Sequence, residues 1–282
     1  MTAQRKITRE VLENYLHCKT KAFLTLTGEF GIKKSDYEAW RLGEVTRKND
    51  SVGDNFVAHY RDRKVEEDVL LTAPDMTNLA DVILRARFEN EQFSLSFDGL
   101  VRNERSATQS GNPTYVPVLF EEGKVRALQK TMLGLLALVV SEVQETQPTF
   151  GLVFHEDGRP TTVRFADSLK TLKTILTEIQ GLCRGRNTPM LVLNDHCQVC
   201  EFRARCHAQA LKEDNLSLLR GMNERQITRL HGQGIFTVNQ LSYTFRARRR
   251  PKRAKKAVPV HHLPLRALAL REKKYSYMVI PK

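Results

Sequence analysis

The sequence predicts an α/β fold in which helices pack on a mixed sheet. Apolar residues recur at helical spacing in residues 7–27, whereas apolar and polar residues alternate, as in strands, after residue 81. Residues 124–145 are apolar on almost every side in their middle, which is typical of a helix buried against a sheet. Further strand patterns and another helical pattern follow, so strands and helices alternate as in α/β domains.

The N-terminal half is predicted to contain two helices and three strands. The first helix covers residues 7–27, with Thr8 as its N-cap, and glycines interrupt the pattern after it. A second, more polar helix is predicted over about residues 37–63. Strand patterns occupy three segments: 82–88, 93–101 and 114–120.

The next segments are predicted to form a helix, a hairpin and a second helix. The buried helix at 124–145 is followed by strands at 150–154 and 161–165, and Glu156-Asp157-Gly158-Arg159 between them is a turn signal. A helix is predicted over residues 168–182. Cys183 follows it in isolation, and we interpret that cysteine as structural.

The net charge of +13 indicates a polyanionic partner, most often nucleic acid or an anionic membrane surface. The longest apolar run, residues 132–140, is too short to cross a membrane, and the N-terminal residues do not resemble a signal peptide. We therefore expect a cytoplasmic protein without a membrane partner. The sequence contains no phosphate-binding G-x-x-x-x-G-K-[ST] loop, so it does not predict an ATP-driven motor.

Cysteines form the most specific pattern in the chain. Cys197, Cys200 and Cys206 are spaced as C-x2-C-x5-C, and in a reducing compartment such a group indicates metal binding. Thiolates are soft ligands that hold zinc or iron–sulfur clusters. Cys18 is the candidate fourth ligand, and such a site would close a long loop of the chain. Two flanking histidines keep zinc open as an alternative: His196 and His207.

The order of these features resembles that of a known family. Phe97-Asp98-Gly99 places an aspartate at a strand end, and a second strand and a long helix follow it, all between Cys18 and the C-x2-C-x5-C group. In this layout residues 7–210 resemble the RecB-like nucleases, which are PD-(D/E)XK enzymes with an iron–sulfur clasp. The resemblance implies a restriction-endonuclease-like core with a mixed sheet, closed by a 4Fe–4S cluster on the four cysteines, and a role in DNA processing or repair.

The resemblance also implies a site at which Mg²⁺ or Mn²⁺ assists phosphodiester hydrolysis. Asp98 matches the first acidic residue of the family motif. Glu122 and Lys124 form the nearest E-x-K pattern after it and are the other candidate catalytic residues, in a shifted register. Two residues of the following helix are further candidates: Gln129 and Lys130.

The strand expected to carry the E-x-K half of the motif departs from the family pattern. Pro117 and Leu119 stand where the glutamate and lysine are expected, and neither binds a hard cation or transfers a proton. Three functions therefore stay open. The first is a DNA nuclease, and the second is a catalytically degenerate DNA-binding module of the same fold that presents DNA to a helicase or a nuclease. A zinc-dependent basic adaptor of a different fold is a third.

Residues 211–245 resemble helix-hairpin-helix segments, whose glycine turns aim backbone N–H groups at DNA phosphates. The turn residues are Gly221, Asn223, Gly232 and Gly234. Asn223 replaces a glycine that is usual there, and asparagine can also adopt positive φ. The alternative is a small helical packing module without a ligand.

Residues 246–256 contain eight basic side chains and no acidic one, which leaves a net charge of +5 for the other residues. We call this segment the basic run. Such a run binds phosphates without reading base sequence, and a solvated linker is the alternative. The predicted phosphate-binding residues are Arg246, Arg248, Arg249, Arg250, Lys252, Arg253, Lys255 and Lys256.

The sequence is therefore divided into three parts. Residues 1–210 are predicted to form the nuclease-like domain with its cysteine clasp, and residues 211–245 the helix-hairpin-helix-like segment. Residues 246–282 are predicted to contain the basic linker and the start of a further domain, because 275–280 have a strand pattern. The resemblance implies that an RNase H-like exonuclease or helicase region continues from there, so we expect a truncated relative or the N-terminal part of a longer protein.

Overall fold

A computed structural model describes residues 5–32, 50–71, 79–107, 113–121, 123–165, 168–185, 187–246 and 263–272. The chain divides into two compact units. Unit 1 comprises residues 1–29 and 33–188, and unit 2 comprises residues 30–32 and 189–282. The cysteine group, which the sequence analysis assigns to the nuclease-like domain, belongs to unit 2.

Unit 1 contains mixed α and β structure. Its described helices are α1 (Arg9–His17), α2 (Lys19–Leu26), α3 (residues 50–59), α4 (Ala127–Gln144) and α5 (Leu169–Cys183). Its described strands are β1 (Ile7–Thr8), β2 (Val65–Glu67), β3 (Leu70–Leu71), β4 (Val82–Leu84), β5 (Arg87–Glu89), β6 (Phe93–Ser96), β7 (Gly99–Ala107), β8 (Pro113–Phe120), β9 (Phe150–Phe154) and β10 (Pro160–Arg164).

The described strands confirm the predicted α/β class, but they form two mixed sheets instead of the single one predicted. The larger sheet has six strands in the order β10-β9-β8-β7-β4-β2, and the smaller has four in the order β1-β6-β5-β3. In the larger sheet β8 pairs with β9 in parallel and with β7 in antiparallel orientation. The hairpin of β9 and β10 has the predicted antiparallel register, with Gly158 at positive φ in its turn.

Two predicted strands each divide between the two sheets. The segment 82–88 becomes β4 and β5, and the segment 93–101 becomes β6 and β7. The breaks lie opposite each other, where Arg85 has φ +54° and its N–H donates to the Asp98 carbonyl oxygen at 3.0 Å. A residue at positive φ turns the strand out of its sheet, so the pair of strands bends at Asp98.

The predicted helix over residues 7–27 is also interrupted. Thr8 caps α1 as predicted, because its hydroxyl oxygen accepts from the Val11 N–H at 3.2 Å. Cys18, however, has an extended backbone (φ −164°, ψ 119°) and separates α1 from α2. Of the predicted helix over 37–63, residues 50–59 form α3 and residues 60–63 are not helical, while residues 37–49 lie outside the described chain.

The core of unit 1 lies on both faces of the larger sheet. On one face α4 and α5 pack closely, because Gly134 lets Leu172 approach: an added Cβ would lie 2.5 Å from the Leu172 Cδ1 atom. On the other face Phe56 of α3 is fully buried among Val82, Val116 and neighbouring residues. Within the described ranges no helix is long and apolar enough to cross a membrane.

Unit 2 is helical in its described part. Its elements are a 3₁₀ turn (Asp195–Val199), α6 (Arg203–Lys212), a second 3₁₀ turn (Leu216–Leu218), α7 (Glu224–His231), α8 (Val238–Tyr243) and α9 (Leu263–Arg271). A small apolar core joins the second 3₁₀ turn, α7, α8 and α9 through residues such as Leu216, Ile227, Leu241 and Ala267.

Candidate functional site

Asp98 lies in the short break between β6 and β7, where the chain passes from the smaller sheet to the larger one. Its Oδ2 atom accepts from the backbone N–H of Phe120 at 2.9 Å, and Phe120 is the last residue of β8. The carboxylate therefore connects the start of β7 with the end of β8.

The same carboxylate is engaged by Arg9, the first residue of α1. Arg9 Nη1 donates to Asp98 Oδ1 at 2.6 Å, and Nη2 donates to Oδ2 at 3.1 Å. The side chains are 23% and 17% exposed, so the pair is mostly shielded from water. Burial lowers the pKa of Arg9, but the charge and hydrogen bonds of Asp98, together with Glu13, raise it overall above its usual value. Three of the roughly four acceptor positions of the Asp98 carboxylate are thus used within the protein.

The neighbouring strand β8, whose last residue Phe120 donates to Asp98, has buried apolar side chains before that residue. Leu119 is 5% exposed and belongs to the cluster covered by α4, together with Tyr115 and Leu100. Pro117 pairs with Leu100 across β7 and β8 and is buried. Both positions at which the family motif requires a glutamate and a lysine are therefore core positions here.

A cavity of about 530 Å³ opens beside Asp98. Arg85 at its edge donates to Asp68 at 3.1 Å, and this hydrogen bond lowers the pKa of Asp68. Among the described residues, no group of three His, Cys, Asp or Glu side chains is placed to hold a metal ion. The acidic lining residues are Asp50, Asp54, Asp68 and Asp98.

The shifted E-x-K pattern is only partly described. Glu122 lies outside the described residues, and Lys124 is exposed in the segment before α4. Glu121 Oε2 accepts from Gln129 Nε2 at 3.2 Å, while Gln129 Oε1 accepts from the Arg126 N–H at 3.1 Å. Gln129 thus helps to cap the start of α4. Lys130 is exposed on the first turn of that helix.

Three of the four predicted cysteine ligands lie in one short segment of unit 2. Cys197 Sγ accepts a hydrogen bond from the Asn194 N–H at 3.4 Å, an arrangement that also suits a metal-bound thiolate. Cys206 is buried in α6, and Cys200 is half-buried at the end of the 3₁₀ turn. Cys18 lies in unit 1. The donor chemistry of these four residues fits zinc or an iron–sulfur cluster, and the described residues contain no gathered metal-binding group.

The predicted glycine turns differ from one another. Gly221 and Gly234 have φ of +79° and +77°, whereas Gly232 has φ −61° and ends α7. Asn223 does not adopt positive φ: its φ is −115°, and its Oδ1 atom caps α7 by accepting from the Gln226 N–H at 2.9 Å. Gln226 in turn accepts from the Asn223 N–H at 3.0 Å, so the position is that of a capping box.

The start of α8 is occupied by an acidic side chain of the same unit. Asp214 Oδ2 accepts from the Asn239 N–H at 2.7 Å, and its carbonyl oxygen accepts from the Val238 N–H at 2.9 Å. The preceding 3₁₀ turn is capped by the neighbouring residue, because Asn215 Oδ1 accepts from the Ser217 N–H at 2.8 Å. A phosphate has no place at the start of α8 while Asp214 fills it.

Of the basic run, the structure describes only Arg246, and Arg248 to Lys256 lie outside the described residues. The sequence does not identify Arg9 as the partner of Asp98, because Arg9 precedes Asp98 by 89 residues and no local motif marks it. The acidic residues of α3 beside the cavity were missed for the same reason.

Comparison of the sequence with known proteins does not identify its family. No protein-family model matches the chain, and no curated protein sequence matches it.

Proposed function

We propose that the chain is a nucleic-acid-binding protein whose α/β unit has a RecB-like fold and no catalytic role, and that it presents DNA to a partner helicase or nuclease. The single observation that carries this choice is the engagement of Asp98 by Arg9 and the Phe120 N–H. The buried, apolar Leu119, which precedes Phe120 on β8, supports it further, since a metal-dependent hydrolytic centre needs polar groups at the position that the family motif gives to its lysine.

Charge supports DNA as the partner. The net charge of +13 and its concentration in the basic run favour a polyanion. In unit 2, the turn with Gly221 at positive φ is followed directly by the start of α7, as in a phosphate-binding hairpin. We propose that this turn and the basic run bind the DNA backbone without reading its sequence.

We also propose that Cys18, Cys197, Cys200 and Cys206 hold a structural 4Fe–4S cluster, with zinc as the alternative. The support is the ligand set itself and the N–H donor to the Cys197 sulfur. Anaerobically purified protein is expected to be brown and to contain iron and sulfide, and replacing the cysteines by serine should remove both. Colourless protein that contains zinc and no iron contradicts the cluster.

The main test is a joint binding and cleavage assay. The full chain is incubated with single-stranded and duplex DNA in Mg²⁺ or Mn²⁺, beside Asp98→Ala and Asp62→Ala, a control acid whose side chain is 93% exposed. We expect DNA binding by all three proteins and cleavage by none. Metal-dependent cleavage that disappears in Asp98→Ala and persists in Asp62→Ala overturns the non-catalytic assignment.

A metal-dependent deoxyribonuclease is the second candidate, and the acid-lined cavity beside Asp98 favours it. In that case Asp98, Glu122 and Lys124 are the proposed catalytic residues. The same assay separates the two functions, because loss of cleavage in Glu122→Gln and Lys124→Gln as well as in Asp98→Ala supports the nuclease. If the residual activity is unchanged in all three variants, it comes from a contaminating enzyme.

A pair of substitutions at Asn223 tests the proposed phosphate site at α7. Asn223→Asp preserves an N-cap of similar strength but adds a negative charge, whereas Asn223→Ala removes the cap at a cost of about 1 kcal/mol. We expect Asn223→Asp to fold with unchanged stability and to bind DNA more weakly than Asn223→Ala. Equal DNA affinity of Asn223→Asp and the unmodified chain assigns Asn223 to helix capping alone.

A further inference from the structure

A second cavity, of about 970 Å³, lies in unit 1 away from Asp98. It lies on the face of the larger sheet that α3 partly covers, and it extends over β7, β8, β9 and β10 next to the end of that helix. We call it the sheet groove. Its volume is at the upper end of the range for ligand pockets, so it has room for a segment of a polymer.

The sheet groove is basic. Three arginines line it, from three separate parts of the chain, and Glu104 is the one acidic lining residue in the described chain. Arg63 Nη2 is paired with Glu104 Oε1 at 2.7 Å, and Arg102 Nη1 with Asp81 Oδ1 at 3.3 Å. Arg164 is exposed and forms no salt bridge with any described residue. Among the described residues, an anion that enters the groove therefore meets one guanidinium without a carboxylate partner and two that are each paired with a carboxylate.

Aromatic and apolar side chains accompany these arginines. Phe150 lies directly across from Arg164 in the β9–β10 register and is half-buried. Tyr60 is also half-buried, and the Arg63 guanidinium lies 5.7 Å from the centre of its ring. Val116 and Leu152 contribute apolar surface between them. The lining thus combines cations with ring surfaces, and a simple anion such as phosphate would leave the ring surfaces unused.

We propose that the sheet groove binds a single strand of nucleic acid, with bases against Tyr60 and Phe150 and phosphates near Arg63, Arg102 and Arg164. A duplex turns its phosphates outward and keeps its bases paired, so it cannot place bases on the rings. Single strands expose both their bases and their phosphates, and proteins that bind them combine a basic groove with aromatic stacking surfaces. This inference rests on the proposed nucleic-acid-binding function and adds a strand-selective site to the sequence-independent basic run.

The test measures binding of labelled single-stranded DNA, single-stranded RNA and duplex DNA by fluorescence anisotropy. It uses the full chain and a second full chain in which the eight basic residues of the basic run are glutamine. We expect the chain with the eight glutamines to bind single strands, and to bind duplex DNA at least tenfold more weakly than single strands. Arg164→Gln should weaken single-strand binding about fivefold near 0.1 M salt, as expected for one lost phosphate contact.

Matched variants separate the groove from general charge effects. Thr162→Glu places a negative charge in the groove and should weaken single-strand binding at least as much as Arg164→Gln. Arg159→Gln removes the same charge from the turn of the same hairpin, outside the groove, and should leave affinity unchanged. Thermal unfolding followed by circular dichroism confirms that each variant is folded.

Photocrosslinking to an iodouracil-substituted single strand locates the contact directly, and we expect crosslinks at Tyr60 or Phe150. Three outcomes overturn the proposal. The crosslinks lie only at other residues, duplex DNA binds as tightly as single strands, or polyglutamate competes as strongly as unlabelled single strands do. If neutralising the basic run abolishes single-strand binding, the sheet groove is not a binding site, but the proposed nucleic-acid-binding function is not contradicted. If the unmodified chain binds no nucleic acid, both fail.

Discussion

Asp98 and Arg9 form a pair of charges that hold each other in a mostly shielded position. The guanidinium reaches both carboxylate oxygens, and the Phe120 N–H adds a third hydrogen bond. Removing one member of such a pair leaves the other charge shielded and without its partner, which costs more than the pair itself contributes. The arrangement therefore links α1 to the junction of the two sheets.

Asp98→Asn and Arg9→Met should each lower the free energy of unfolding by about 2 kcal/mol, the range for a hydrogen bond to a charged group. Because the two changes remove the same interaction, the double variant should lose clearly less than the sum of the two single losses. Urea unfolding of the four proteins measures this coupling. Asp62→Asn, at a highly exposed position, serves as the control and should change stability by less than about 0.5 kcal/mol. Strict additivity would mean that Arg9 and Asp98 act independently.

Tyr115 provides a pH-dependent contribution to stability. Burial raises the pKa of Tyr115 to about 12, and its hydroxyl donates to the Ala80 carbonyl oxygen at 3.0 Å. In the unfolded chain the phenol ionises near pH 10, so between about pH 10 and pH 12 the folded state holds the proton more tightly. Stability should therefore fall as pH rises through this window. Urea unfolding at about pH 9 and pH 11 should show a smaller fall for Tyr115→Phe than for the unmodified chain, and an equal fall contradicts the assignment.

Single residues show where sequence-based prediction succeeds and where it stops. Asp98 was predicted as a strand-end carboxylate because its neighbours in sequence carry the strand pattern. Its partner was not, because 89 residues separate Arg9 from it and only the folded chain brings them together. Asn223 was assigned to a turn, but the Gln226 amide three residues later completes a capping box, a signal that the sequence did contain.

At the scale of elements, the sequence predicts well where helices and strands occur, but it predicts poorly to which sheet a strand belongs. The helix at 124–145, the strand at 114–120 and the hairpin at 150–165 are confirmed as α4, β8 and β9–β10. The strand patterns at 82–88 and 93–101 continue across the bend, because alternation of side chains does not reveal the positive φ of Arg85. One backbone angle therefore separates two sheets that the pattern alone joins.

The packing of α4 on α5 depends on the absence of a side chain at Gly134. Gly134→Ala should lower the free energy of unfolding by about 1–3 kcal/mol, since its Cβ would lie 2.5 Å from Leu172 Cδ1. Leu172→Ala alone creates a cavity and should also destabilise the protein. The double variant should recover part of the loss, because the smaller side chain leaves room for the new methyl group. Gly123→Ala is the matched control in open space, and thermal and urea unfolding compare all four variants. No recovery in the double variant contradicts Leu172 as the obstacle.

At the scale of the whole chain, charge is distributed very unevenly. The basic run carries eight of the net +13 charges, and the sheet groove offers a second, smaller basic surface in unit 1. Overall composition predicted a polyanionic partner, but only the structure brings Arg63, Arg102 and Arg164 to one face of the sheet. Since their sequence positions are up to 101 residues apart, no motif search joins them.

The proposed contribution of the basic run to DNA binding is best tested through the salt dependence of that binding. Lys252→Gln with Lys255→Gln should reduce the slope of log affinity against log salt by about 1.4 for single strands, if each lysine contacts one phosphate. Lys170→Gln with Lys173→Gln removes the same number of lysines at the same spacing from exposed positions of α5, and should leave the slope unchanged. Equal changes in the two pairs would mean that overall charge, and not contact with the basic run, sets the affinity. Unchanged slopes in both would assign DNA binding to other surfaces, and the sheet groove variants would then account for the remaining salt dependence.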